Sequence, residues 1–296
     1  MKLFLFILLF AVQSFAQSQS SSRRPSSALQ TSPKYSAPIA FKTYTTKLKN
    51  PKDRSFQLGA KVDSYSYEEP GVMKEDGQFT GLAAKYTSQK IRYNSHIEGE
   101  GSLLKGKVNY KGSLQDGAGN TVPFSATESQ EIRELRGLWI FESEISKTRL
   151  VSPFVGLGYR NLVDPREHSF DYRREITYWT MPVGARVNLF NKPRHSSDIT
   201  GTYDYLLEGN VKTKLSDLDA RASDLNQFQQ GGYGLRVSWD NRFMFQDTPA
   251  FASLYYQTWD MEQTRTAQSE LFGTTGTFKE PANKTRVLGF TAGMLF

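Results

Sequence analysis

Residues Arg286–Phe296 read RVLGFTAGMLF, and Leu288, Phe290, Ala292, Met294 and Phe296 occupy every second position of that stretch. Successive side chains of a strand point to opposite faces, so these five share one apolar face that continues to the last residue of the sequence. In a soluble domain such a strand would be an aggregation-prone edge. In a closed membrane barrel it is the seam against the first strand.

Working upstream, the same period of two recurs in ten segments from Phe56 onward. In the first, Phe56, Leu58, Ala60 and Val62 alternate with Gln57, Gly59, Lys61 and Asp63. The second, Phe79–Ser88, matches less well. The third, Tyr93–Tyr110, changes parity at Leu103-Leu104, which predicts a β-bulge there. Glu131–Ser146, Leu150–Asn161, Arg173–Phe190, Ser197–Lys212, Tyr233–Asp240, Phe251–Met261 and Asn283–Phe296 complete the set. In Ser197–Lys212 the expected apolar face is Ile199, Tyr203, Tyr205, Leu207 and Val211, opposite Thr200, Thr202, Asp204 and Glu208. The count is even, with eight or twelve as alternatives if the second or third segment is misread.

The connections alternate in length, as they do in transmembrane barrels. Gln89–Arg92, Ser146–Arg149, Asn191–Ser196 and Met244–Pro249 are short. Glu68–Gly77, Lys111–Ser129, Leu162–Tyr172, Thr213–Gln230 and Glu262–Ala282 are longer. The expected fold class is therefore all-β: a closed, antiparallel, up-and-down transmembrane β-barrel of about ten strands over residues 56–296. Because lipid-facing and lumen-facing residues alternate, a barrel hides its apolar face in an average that looks polar, here 38% hydrophobic.

The N-terminal region points to export. Lys2, the apolar run Leu3–Val12 and Ser14-Phe15-Ala16 form a secretory signal peptide over residues 1–16, its apolar run being about half the roughly 20 residues that a spanning helix needs. Residues 17–55 read as a disordered periplasmic arm, rich in Ser and Gln up to Pro38 and then basic, with four Lys and one Arg in Ile39–Arg54. With no cysteine in the chain, a disulfide framework, a thiolate metal site and a lipid anchor on cysteine are all excluded. No cofactor or metal site is expected.

The signal peptide, the ten-segment pattern and the aromatic final strand resemble the small outer-membrane β-barrel proteins of Gram-negative bacteria, the broad OmpA-like and porin-like group. In that group the final strand is the signal read by the barrel-assembly machinery, and Phe290, Ala292, Met294 and Phe296 match its alternate apolar positions. The glycine often found five residues before the end would fall at Thr291; this chain has Gly289 and Gly293 instead. The resemblance implies Sec export, a cell outer membrane location with both termini periplasmic, and contact with outer-membrane lipid and lipopolysaccharide. A net charge of +7 suits that anionic surface, and no nucleic-acid partner is expected.

A barrel of this size has a lumen that side chains largely fill. Strand pairing predicts Glu134 and Arg136 near Arg160, and Arg160 near Arg174, giving a net positive site toward the outer mouth. Glu208 is expected level with Arg236 as a lumen ion pair. Arginine binds carboxylate or phosphate as a fork, so these residues are the candidates for an anion constriction or ligand pocket, or else a salt-bridge network filling the lumen. Barrel proteases of the omptin family use an Asp-His pair at the outer rim. This chain has only His96, His168 and His195, and His168 alone falls in an outer connection. No nucleophile elbow, phosphate loop or zinc-ligand spacing is present, so no catalytic residue is assigned. The remaining outer segment of note, Leu215–Gln230, predicts a short amphipathic helix capped at Ser216. The expected function is a structural or surface-interaction role, with or without a narrow pore. The alternatives are a small porin for anionic solutes and an omptin-like or lipid-modifying hydrolase. Oligomeric state is not legible.

Overall fold

The computed structural model describes residues 54–91, 94–115, 121–146, 149–166, 172–229, 231–271 and 273–296. The expected signal peptide, all of the expected arm before Arg54, and His168 lie outside them.

Ten strands form one antiparallel ring: β1 (Ser55–Glu69), β2 (Met73–Thr87), β3 (Ser95–Gln115), β4 (Thr121–Phe141), β5 (Arg149–Asp164), β6 (Arg174–Lys192), β7 (His195–Thr213), β8 (Gly232–Phe245), β9 (Thr248–Met261) and β10 (Asn283–Leu295). Each pairs with its sequence neighbours, and β10 pairs with β1 from Leu58↔Met294 through Val62↔Phe290 to Glu68↔Lys284. Two backbone bonds extend the seam to the terminus: Phe56 N donates to Phe296 O at 3.1 Å, and Phe296 N donates to Phe56 O at 2.7 Å. Closure leaves no edge in the ring, which is why an apolar final strand is tolerated. Three smaller pieces adjoin the barrel. Ser143–Ser146 pairs with the start of β5, Leu225–Phe228 pairs with the end of β7, and a hairpin of Ala267–Leu271 with Thr274–Phe278 stands in the β9–β10 connection.

Along β1 burial alternates strictly, with Lys61, Asp63, Tyr65 and Tyr67 inside and Phe56, Leu58, Ala60 and Val62 outside. The outer surface carries an apolar belt in which Leu82, Leu103 and Leu135 are each 60% exposed or more. An apolar surface of that extent is stable only against another apolar phase. Its upper limit is marked by outward charges that follow Leu103, Leu135 and Leu288 along their strands: Lys105, Arg133 and Arg286.

Four local expectations are corrected. β3 pairs with β2 and β4 in unbroken register, so there is no bulge at Leu103-Leu104. Leu104 and Val108 are apolar because they enter the lumen core, which a period of two cannot distinguish from the lipid face. The bulges lie instead between β6 and β7, where Trp179↔Glu208 is followed by Thr180↔Leu206, and again at Asn188/Phe190. Leu207 is the extra residue of the first, so parity reverses beyond it: Val211 turns inward and Glu208 turns outward. The first and second long connections are mostly strand, the β1–β2 link being only residues 70–72 with Gly71 at φ +77°. The segment after β7 is a single 3₁₀ turn, Leu215–Asp217, followed by strand, and the Ser216 hydroxyl donates to Asp224 instead of capping a helix. The β6–β7 and β8–β9 links at the terminal end are tight. β8 turns into β9 through Gln246 and Asp247, both at positive φ (46° and 65°), the backbone sign that a two-residue hairpin requires.

Candidate functional site

The lumen is layered. Its half toward the end opposite the termini is filled by one buried apolar cluster, which includes Tyr65, Phe79, Ile132, Tyr178, Val211 and Trp259 and draws on every strand except β8. There Gly234 leaves room for a ring: a Cβ at that position would lie 2.7 Å from Trp259. Every member of the cluster is 7% exposed or less. Side chains of this size, supplied from nine of the ten strands, form an apolar plug.

Beneath the plug lies a layer of buried ion pairs. Arg160 donates to Glu134 at 2.8 Å and faces the Trp259 ring at 5.9 Å, so it forms the boundary with the plug. Glu134 also accepts from Lys61 at 3.1 Å. Arg136 donates to Asp204 at 2.7 Å. Lower still, Arg186 grips both oxygens of Glu98 at 2.8 and 2.7 Å, Lys85 bridges Glu98 and Glu100, and Arg242 meets Asp198 at 2.5 Å. Taking charge out of water is costly, and only close, hydrogen-bonded pairing offsets it. The layer therefore holds a matched network in place of the net positive site expected from Arg136, Arg160 and Arg174.

Arg174 belongs to neither group. It sits at the far end, where it donates to Asp164 at 3.0 Å and to Glu280 at 2.9 Å, with Glu69 at 3.6 Å and Glu75 at 3.7 Å. Because Glu280 comes from the β9–β10 connection, this arginine ties that connection to the barrel wall. The expected Glu208–Arg236 pair does not form, for the bulge at Leu207 puts Glu208 on the exterior. Arg236 stays inside, its guanidinium 4.2 Å over the Tyr255 ring. Tyr255 in turn donates to Asp63 at 2.5 Å.

The half of the lumen toward the termini contains a cavity of about 210 Å³. Arg136, Arg236 and Glu134 line its inner end, and Ser55, Thr87, His96 and Asn191, at or near strand ends, line its rim. The cavity thus opens toward the terminal end, and its inner end lies against the plug. His96 stands between Glu98 at 3.5 Å and Glu142 at 3.6 Å, while His195 faces Asn241 at 3.4 Å; both are at the terminal end. Glu142 also pairs with Lys90.

At the opposite end the β7–β8 and β9–β10 connections pack together. Leu215, Ala222 and Leu225 form a small core with Ala267 and Phe278, and the Gln227 amide donates to Thr264 Oγ1 and to the carbonyls of Arg265 and Phe278. Arg173 clamps Asp217 through two side-chain bonds of 2.8 Å, which holds that carboxyl below its usual pKa range.

The chain has the fold of outer-membrane β-barrels. It is similar to the outer membrane protease OmpT from Escherichia coli, at 10% identity over 85% of this chain and 98% of that one, with a TM-score of 0.51. Looser likenesses are the translocator domain of the autotransporter NalP from Neisseria meningitidis (13% identity, 80% and 87% covered, TM-score 0.36) and Ail of Yersinia pestis (8% identity, 82% and 99% covered, TM-score 0.30). No protein-family model and no curated protein matches the sequence.

Several members of the polar layer, Lys61, Asp63, Arg186 and Asp204, stand at inward positions that the alternation already marked, yet nothing in the sequence paired them. Lys61 and Glu134 are 73 residues apart, and Arg186 and Glu98 are 88 apart. These contacts cross the lumen between strands that are not neighbours, so no register argument reaches them.

Proposed function

We propose that this chain is an outer-membrane β-barrel with a structural or surface-interaction role, exported through Sec, assembled by the barrel-assembly machinery, and oriented with its termini in the periplasm. The observation that carries this reading is the apolar plug: buried Tyr, Trp, Phe and aliphatic side chains from nine of the ten strands meet inside the barrel, and a lumen packed in this way argues against an open aqueous channel. Under this orientation the fused β7–β8 and β9–β10 connections face outward with the β3–β4 hairpin, and they offer a folded surface for envelope or host partners. The outward cations above the apolar belt, Lys105, Lys107 and Arg133, suit the phosphates of lipopolysaccharide.

The porin alternative needs a path past the plug. The hydrolase alternative draws support from the OmpT fold alone; among the described residues no histidine stands at the far end, where omptin chemistry would place it. Planar-bilayer recording with the purified protein tests the reading. No stepwise current is expected. Regular anion-selective steps, with a preference reversed by Arg136→Glu, would overturn it in favour of a channel.

A further inference from the structure

Within the lumen cavity not every charge has a close partner. The other cations lining it, Lys61, Lys85, Arg136, Arg186 and Arg242, each have a carboxylate within 3.1 Å. Among the described residues Arg236 has no carboxylate within 4.0 Å. Its guanidinium carbon stands 4.2 Å over the Tyr255 ring, and the residue lines the cavity. The lining carboxylates are matched in the same way, with Asp240 as the exception. Among the described residues its oxygens accept from the hydroxyls of Ser238 at 2.8 Å and Ser253 at 2.6 Å, which fix its position, and no cation lies within 4.0 Å of it. Arg236 and Asp240 are four positions apart on β8 and both line the cavity, Arg236 deep beside the plug and Asp240 toward the rim.

We propose that this cavity is a binding site for a small zwitterionic peptide, its carboxylate on Arg236 and its ammonium on Asp240. The chemistry follows from the two unmatched groups. A guanidinium held on an aromatic face presents a planar fork suited to carboxylate, and a carboxylate fixed by two hydroxyls keeps lone pairs for an ammonium. The length follows from the strand: four positions separate the Cα atoms by roughly 13 Å. Both side chains reach inward, so a peptide of two or three residues, at about 3.5 Å each, spans the gap. The cavity volume of about 210 Å³ admits small side chains only. A peptide enters from the terminal end, since the plug blocks the other.

The test is calorimetric titration of the full-length protein in detergent with four forms of trialanine: free, N-acetylated, C-amidated and capped at both ends. Free trialanine binds saturably, either single cap weakens binding about tenfold, as loss of a charge-assisted bond does, and the doubly capped form does not bind. Arg236→Gln makes the free and C-amidated forms bind alike, and Asp240→Asn does the same for the free and N-acetylated forms. Equal binding of all four forms, binding that depends on the carboxylate alone, or no saturable binding of free trialanine up to about 10 mM would each overturn the proposal. The peptide series uses the unaltered protein, so it decides the matter even if a variant fails to fold.

Discussion

Replacing Asp204 by alanine removes the partner of Arg136 where water has least access. The Asp204 side chain is 0% exposed and that of Arg136 11%, and they meet at 2.7 Å. Deleting one member of a buried pair leaves the other charge uncompensated, at a cost of about 3–5 kcal/mol. Arg136 also lines the cavity, where water partly solvates it, so Asp204→Ala falls near the lower end, about 3 kcal/mol. Replacing both residues by apolar ones, Arg136→Met with Asp204→Leu, removes the stranded charge and returns stability to within about 1 kcal/mol of the parent. The large non-additivity between the single and double substitutions is the signature to seek. Equilibrium urea unfolding in lipid vesicles reads it directly. Trp139, Trp179 and Trp239 lie on the outer face at 41–50% exposure and report loss of the lipid environment. A cost below about 1 kcal/mol for Asp204→Ala is what an exposed pair gives. It would mean that water screens this layer, and the account of Arg136 and Asp204 as a buried ion pair would be wrong.

Deletion of Phe296 removes two backbone bonds to Phe56 and the contact between the two rings, whose centroids are 6.3 Å apart; less heat-modifiable, folded barrel is expected in membrane fractions, and unchanged assembly would count against the seam as the role of this residue. Gly289→Ala places a Cβ 2.2 Å from the Tyr255 ring and 2.3 Å from Asp63 Oδ1, an overpacking expected to cost about 1–3 kcal/mol in the same unfolding assay. Gly99→Ala, with nothing within 4 Å of the new atom, stays within about 0.5 kcal/mol and serves as its control. Equal effects of the two would show that Tyr255 is free to move.

The strand count, the even closure and the lipid face were legible because alternation is a local property: each outward side chain meets lipid whatever its neighbours are. Boundaries were less legible at the far end, where strands run past the apolar belt. There Lys111, Ser113, Ser125 and Thr127 are polar at outward positions, so segments that remain strand looked like loop. Parity also failed at the bulge beside Leu207, because a single extra residue exchanges inside for outside without leaving a mark in composition.

What the sequence by itself determined, then, is the wall: ten amphipathic strands, a polar inner face, and a final strand, ending at Phe296, apt to close the ring. Which inner residues meet was decided only in three dimensions, since opposite walls of a barrel are brought together by its circumference and not by adjacency in the chain. That closure set Arg136 on Asp204, sent Arg174 to the far mouth, and, among the described residues, left Arg236 and Asp240 without an ion pair closer than 4.0 Å. It also gathered aromatic and aliphatic residues of nine strands into one buried cluster at the inner end of the cavity.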